Sequence, residues 1–368
     1  MKKLLIATNH LKSIGGTEVY TYYFIKSLIE NENYEVEYFT FQRGLVSKKI
    51  EKDLKVPYMQ QESYDLIIAS HYSTVAHLYG KGPIIQISHG MVPPLEQPSP
   101  LANAYVSISE EIRHHLEQEG FPSQVVLNGV DLSVFSSKRS LNPTVQTILS
   151  LCQSEEANEL IKQVCESMGI EFIRFNKNVN PTFDLSEEIN KADLVIGIGR
   201  SAYDAMACGR PCIIFDYRHY NGNRGDGYLM PEDFKKYVQF NCSGRYKNQP
   251  FDSESLSHEI EKYNPKHGEQ LRALAVRYLS VKTNSRQILK IGKTLLGETE
   301  MGEVEKVFLY LKHRKHFKRL KRDLRESLSQ RLKAGETPDS LLRQAGELQL
   351  PLPLKLALKL YLRKQKGK

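Results

Sequence analysis

The chain has 368 residues, 40% of them hydrophobic, which is enough for about two domains with real cores and some chain to spare. Its 51 Lys and Arg against 43 Asp and Glu give a net charge of +8, but the excess is local: residues 303–368 hold 18 cations and 7 acids, the rest 33 and 36. No run approaches the roughly 18 apolar residues of a membrane span, and five scattered cysteines without a CxxC pair argue against a disulfide framework and for buried thiols in a reducing compartment.

The opening MKKLLIATNH is too short in apolar residues for a signal segment and reads as a first strand, so a cytoplasmic protein is expected. Short apolar runs predict further strands at Glu35–Thr40, Asp65–Ala69, Pro83–Ser88, Ala104–Ser107 and Gln124–Leu127, after a first at Lys3–Ala7. They are mostly continuous, as in a sheet covered on both faces. Helices are predicted over about Thr17–Asn31 and over Glu110–Glu119, the latter stopped by Gly120 and Pro122. The polar stretch Leu132–Pro143 reads as a linker.

A second alternation follows: strand Thr147–Leu151, helix Glu155–Met168, strand Ile170–Phe175, a weak helix Leu185–Lys191 and strand Asp193–Ile198. Gly199–Asp216, GRSAYDAMACGRPCIIFD, then reads as glycine turn, short helix, Gly-x-Pro turn and buried strand. Repeated βα units imply an α/β fold with parallel sheets and a ligand crevice at the strand ends. A loop rich in glycine and aromatics, Tyr217–Tyr228, leads to helical segments up to about residue 294. In 303–333, Val304, Val307, Leu311, Phe317, Leu320, Leu324 and Leu328 line one side of a basic amphipathic pattern, and Leu348–Leu362 is leucine-rich. The expected domains are 1–140, 141–295 and a basic helical extension, 296–368.

The turn at Gly199 carries the chemistry. Its amides would open the helix towards an anion, Arg200 would add fixed positive charge beside Ser201, and Asp204 would reach a sugar diol one turn later. Phosphate at one end and hydroxyls at the other describe a sugar nucleotide. Gly15-Gly16-Thr17-Glu18 follows the first strand, where two glycines permit left-handed dihedrals and Thr17 would cap the helix. His89 ends the fourth strand and would point into the crevice, with His71 a weaker candidate; Asn128-Gly129-Val130-Asp131 reads as a tight turn there. Arg218, Arg224 and Arg245 each read as solvated. The absence of Asp-x-Asp, HExxH, GxxxxGK[ST] and GxGxxG argues against a metal-held diphosphate, a P-loop kinase and a dinucleotide enzyme.

In this order the pieces resemble the GT-B glycosyltransferases, most closely retaining glycosyltransferase family 4. GGTE is similar to that family's glycine-rich acceptor-side loop, and Ile87–Gly90 (ISHG) to its His-containing loop. Val106–Phe135, VSISEEIRHHLEQEGFPSQVVLNGVDLSVF, resembles its stretch ending in Asn-Gly-Val-Asp and Phe, and Ala202–Ile213, AYDAMACGRPCI, its helix with Glu-Ala-Met-Ala-x-Gly-x-Pro. The likeness spans about residues 1–220 and not the tail.

The resemblance implies two Rossmann-like domains facing a cleft, the second for a nucleotide sugar and the first for an acceptor. It implies metal-independent, retaining transfer to a hydroxyl of a glycan, lipid-linked or protein acceptor, with no cofactor besides the nucleotide-sugar co-substrate. His89 would be catalytic, as would Arg200, the latter from its place at the helix start after Gly199 rather than from the family's pattern. Gly199, Ser201, Asp204, Asn128 and Gly16 would bind the donor, and Gly15, Thr17 and Glu18 the acceptor. The family's ribose-binding glutamate falls on Asp204; its other glutamate would fall near Ile196 and is absent. Its diphosphate-binding Arg and Lys are also missing, where LCQSEEANELIK stands. The basic pattern at 303–333 suits an anionic membrane surface at the inner face. The other readings are a non-catalytic subunit that binds a partner enzyme and, less favoured because no nucleic-acid-reading motif is present, a sugar transferase acting on nucleic acid.

Overall fold

The computed structural model describes residues 2–30, 34–175, 182–218, 221–295, 314–333, 335–347 and 352–366. Six parallel strands form the first sheet: β1 (Lys2–His10), β2 (Tyr34–Gln42), β3 (Leu66–Ser70), β4 (Ile84–Ser88), β5 (Ala104–Ser107) and β6 (Gln124–Val125), in the order β2-β1-β3-β4-β5-β6. Leu4 pairs in register with Val36 on one side and Leu66 on the other. Alternate side chains enter opposite cores, Leu4 and Ile6 on one face and Leu5 and Ala7 on the other. That double burial is why the runs are continuous.

The second sheet comprises β7 (Thr147–Ser150), β8 (Glu171–Arg174), β9 (Leu194–Gly197), β10 (Cys212–Ile214) and β11 (Gly227–Tyr228), in the order β11-β10-β9-β7-β8. β11 runs antiparallel to β10; this two-residue strand, inside the expected loop, has no sequence pattern of its own. Both sheets reverse their strand order once, between β1 and β3 and between β7 and β9, and a crevice opens beyond the carboxyl ends at such points.

Helices cover the faces. In the first half these are α1 (Gly16–Ile29), α2 (Leu45–Lys49), α3 (Tyr72–Leu78) and α4 (Glu110–Gln118). In the second they are α5 (Glu155–Met168), α6 (Ser186–Lys191), α7 (Arg200–Ala207), α8 (Phe234–Gln239), α9 (Ser253–Glu261) and α10 (Pro265–Tyr278). Ser109 and Ser154 cap α4 and α5 through their side chains. Helix α11 (Val281–Leu295), expected with the second domain, packs on α1 instead. Asn284 Nδ2 donates to the Leu127 carbonyl at 2.7 Å.

The chain therefore crosses between the halves twice, and the two crossings touch. Val130 N–H donates to the Leu279 carbonyl (2.6 Å) and Val281 N–H to the Val130 carbonyl (3.0 Å). A Cβ on Gly129 would lie 2.4 Å from Val281 Cα, so the glycine in Asn-Gly-Val-Asp is a close-approach residue rather than a turn residue. The expected linker is exposed or half-buried over most of its length, but it is tied down at a few points. Phe135 is buried, and Arg139 and Asn142 bind the buried Asp193 carboxylate.

The tail folds back as α12 (Arg314–Lys333), α13 (Pro338–Glu347) and α14 (Leu352–Lys366). Leu328, Leu341, Leu358 and Leu362 join Tyr72 and Val75 of α3 in the core beneath the first sheet. Of the apolar stripe expected over 303–333, Leu328 is the one member among the described residues, and it is buried in this core. Val304, Val307, Leu311 and Leu348, and the side chains of Phe317, Leu320 and Leu324, lie outside the described residues. No helix among the described residues is long and apolar enough to cross a membrane.

Candidate functional site

A cleft of about 420 Å³ lies where the carboxyl ends of the two sheets meet. The first half contributes Ile14–Gly16 and Val19 after β1 and the loop His89–Pro93 after β4. The second contributes Gln153 after β7, Ile198–Ser201 and Asp204 after β9, and Arg218 after β10. Gly15, Gly16, His89, Gly199, Arg200, Ser201 and Asp204 thus come together. Thr17, Glu18 and Asn128 do not line the cleft.

Gly199 takes φ +58°, a conformation that a β-carbon resists, and lets β9 turn sharply into α7. Its N–H donates to the Cys242 carbonyl at 2.8 Å, and the Ser201 N–H to the Ile198 carbonyl at 3.3 Å. Those two amides are therefore committed within the protein, which corrects the expectation that they greet an anion. The guanidinium of Arg200 remains. Its Nη1 reaches across to the Gly129 carbonyl at 3.1 Å, and its Nε stands 3.4 Å from Asp204 Oδ2. Its Cζ lies 5.6 Å over the Tyr23 ring and 6.0 Å from that of Phe135. Nε and Nη2 are buried without a hydrogen-bond partner, as is Asp204 Oδ1. Burial pushes the Asp204 carboxyl up to about 6, against the pull of Arg200.

More unmatched polar atoms lie around this pair. Gln153 Oε1, Asn241 Oδ1 and Ser243 Oγ line the cleft, buried and without partners. Buried polar groups normally find partners, so such a cluster marks where a polar ligand would complete the structure. Two cations that the sequence left as solvated also face the cleft. Arg218 Nε binds Asp216 at 2.5 Å. Arg245 forks onto Glu111 of α4, Nε to Oε1 at 2.7 Å and Nη2 to Oε2 at 2.5 Å, joining the halves. Arg224 bonds the Asn248 carbonyl and does not line the cleft.

The first half's wall is better satisfied. His89 Nε2 lies 3.1 Å from Ser70 Oγ, its ring meets Tyr20 edge-on at 5.0 Å, and Asn128 stands beside it. Burial lowers the imidazole to about 4, with nearby His71 adding and Glu96 opposing, so His89 is neutral around pH 7. Glu96 is the residue the sequence did not single out. Its carboxylate takes the His89 backbone N–H at 2.8 Å and stands 3.3 Å from His71 Nε2. His71 Nδ1 accepts the Asn9 N–H at 3.2 Å, which leaves the proton on Nε2, facing Glu96. Burial alone would raise the Glu96 carboxyl; the two histidines hold it below its ordinary value. Glu96 lies in a loop with no periodicity to flag it.

The Gly15-Gly16 turn also differs from expectation. Gly15 is extended at φ −157° and neither glycine has a positive φ, and α1 starts without a side-chain cap, so Thr17 is no cap. The Thr17 carbonyl accepts from Thr21 Oγ1, and the buried Glu18 pairs with His10 Nδ1 at 3.3 Å.

No protein-family model matches the sequence, and no curated protein matches it. Solved structures do match the fold. One is a protein described as a UDP-N-acetylglucosamine 2-epimerase from Listeria monocytogenes, at TM-score 0.51 and 14% identity over 82% of this chain and 98% of that one. Another is the glycotransferase of kitacinnamycin, at TM-score 0.50 and 8% identity over 78% of this chain and 98% of that one. At such identities the likeness is one of architecture: α/β, with two Rossmann-like domains facing a cleft, the GT-B arrangement.

Proposed function

We propose that the protein is a glycosyltransferase that moves a sugar from a nucleotide-sugar donor to a hydroxyl acceptor, with retention and without a metal, in glycan or glycoconjugate assembly. One observation carries the reading: the Arg200–Asp204 pair, buried in the cleft with two guanidinium nitrogens and one carboxylate oxygen unmatched. A diphosphate supplies acceptors for the first, and a ribose hydroxyl a donor for the second.

Charge grows on the leaving diphosphate as the glycosidic bond breaks. Arg200, held by Gly129 and two aromatic faces, is already aimed, so stabilising that charge needs little reorganisation. Arg218 and Arg245 also line the cleft, each paired with a carboxylate, Asp216 and Glu111, and would add positive charge near the diphosphate. Neutral His89 can exchange a hydrogen bond with a donor hydroxyl without adding charge beside the oxocarbenium-like centre. The acceptor hydroxyl, entering past Gly15 and Gly16, passes its proton to the departing phosphate. The halves enclosing the cleft limit water's access and hence hydrolysis. The reading divides the labour at about residue 140, with the acceptor on the first domain and the donor on the second, in a cytoplasmic setting.

A panel of nucleotide sugars tested by thermal shift checks binding, since a ligand of the folded state raises its midpoint. Turnover of the stabilising donor then follows in the wild type and in Arg200→Ala and His89→Ala. Transfer lost in both variants, with folding intact, supports the reading; near-normal transfer removes the assignment. Binding without turnover in the wild type makes the protein a non-catalytic subunit, and an altered donor sugar without transfer makes it an epimerase.

A further inference from the structure

A second concentration of positive charge lies away from the cleft. Lys318, Lys321, Arg322 and Arg325 of α12 line a surface cavity of about 460 Å³, with Ser329 and, from α14, Tyr361; Glu326 is the acid among them. Positions 318, 321, 322, 325 and 329 share one side of a helix. The Arg325 guanidinium lies 5.7 Å over the Tyr361 ring, which fixes its direction, and its Nε is buried with no hydrogen-bond partner. Leu328 and Leu362 of the same two helices are buried in the core below. The cationic side is thus the side turned outward, and burial of the leucines holds it rigid.

Like charges at helical spacing repel one another. They are held together here around a hollow in which an arginine nitrogen lacks an acceptor. We propose that this cavity is a binding site for a phosphate group, separate from the cleft. A carboxylate is matched by one guanidinium fork. Four cations, one of them with a buried Nε that lacks a partner, and the hydroxyls of Ser329 and Tyr361 suit an anion with more oxygens and more charge. The phosphate can belong to a soluble molecule or to a lipid headgroup, and the chemistry at the cavity is the same.

The full-length protein is tested with two probes. Inorganic phosphate is titrated calorimetrically, and vesicles of phosphatidylcholine, with or without phosphatidylglycerol, are co-sedimented. The variants are Lys318→Gln/Lys321→Gln, which spares the Arg325–Tyr361 contact, and Arg325→Gln. The control is Lys290→Gln/Lys293→Gln, on the exposed side of α11. At least a tenfold loss of affinity is expected in both cavity variants and none in the control. Binding to phosphate identifies a soluble ligand, and binding only to phosphatidylglycerol vesicles a headgroup. The proposal is overturned if the wild type binds neither probe, if the Lys318→Gln/Lys321→Gln variant binds as the wild type does, or if the control loses as much. Unchanged thermal midpoints in the double variant separate lost binding from lost folding.

Discussion

Two strand–turn–helix units face each other across the cleft, β1 into α1 and β9 into α7. Both helices begin at a glycine without a side-chain cap bond. In the first unit the acid folds back: a Cβ on Gly15 would lie 2.2 Å from Glu18 Oε2, and Glu18 is already paired with His10. In the second the acid Asp204 meets Arg200, and the pair keeps three polar atoms unmatched. His71, Glu96 and Ser70 complete the first wall with partners inside the protein. The same backbone device thus yields one turn whose acid is paired and one whose ion pair keeps unmatched atoms, although Ser88 Oγ and Asn128 Oδ1 in the first half also lack partners. That difference, rather than the shared architecture, marks the turn at Gly199 as the place where a polar ligand would complete the structure.

The largest effect expected from this contrast is on Arg200→Ala. Turnover should fall by about a thousandfold, the scale of losing a preorganised charge-stabilising donor, in a protein that is still folded at the assay temperature although its thermal midpoint drops with the loss of the buried pair. Glu18→Gln, behind the first turn and outside the cleft lining, should leave the donor's turnover within a few-fold; equal losses in steady-state kinetics would erase the distinction. Next comes the support of the first half. Leu362→Ala empties a fully buried site under its sheet and should cost about 3 kcal/mol, read by denaturant unfolding; no change would mean the tail is an appendage.

The two walls should also answer pH with opposite signs. His89 is lowered to about 4, so its share of stability is lost as pH falls from about 6.5 to 4. Asp204 is raised to about 6, so the folded state holds that proton and stability declines as pH rises from about 4 to 6. Relative to wild type, His89→Gln should lose stability as pH rises through that window, and Asp204→Asn as it falls. Thermal midpoints of the three proteins at closely spaced pH values check the crossing. The smallest effect is on Glu111→Gln, which weakens the fork from Arg245 between the halves. A loss of about 1 kcal/mol or less and a larger radius in small-angle scattering are expected; an unchanged radius would mean that pair does not hold the cleft closed.

The strands were legible because both sheets are covered on both faces, which makes LLIA and DLVIGI apolar throughout. Gly199, Arg200 and Asp204 were legible as neighbours because one turn contains them. What escaped came from loops or from distant segments. Arg218 and Arg245 reach the cleft along irregular backbone, where no period marks a direction, and Glu96 supports His89 from a single short turn, Pro94–Glu96. The docking of Leu341, Leu358 and Leu362 escaped for another reason: an amphipathic pattern records that one side is apolar, not what covers it. Asn-Gly-Val-Asp read as a turn because close approach to Val281 depends on a residue about 150 positions away.

The paired crossings near Gly129 and Val281 bear on motion. Two connecting segments fastened side by side form a single pivot, and relative rotation of the domains would run through it. The carbonyl that anchors Arg200 belongs to that pivot. Opening or shutting the mouth would therefore sweep the outer loops through the widest arc while the guanidinium stayed nearly still, like a bolt at a hinge pin.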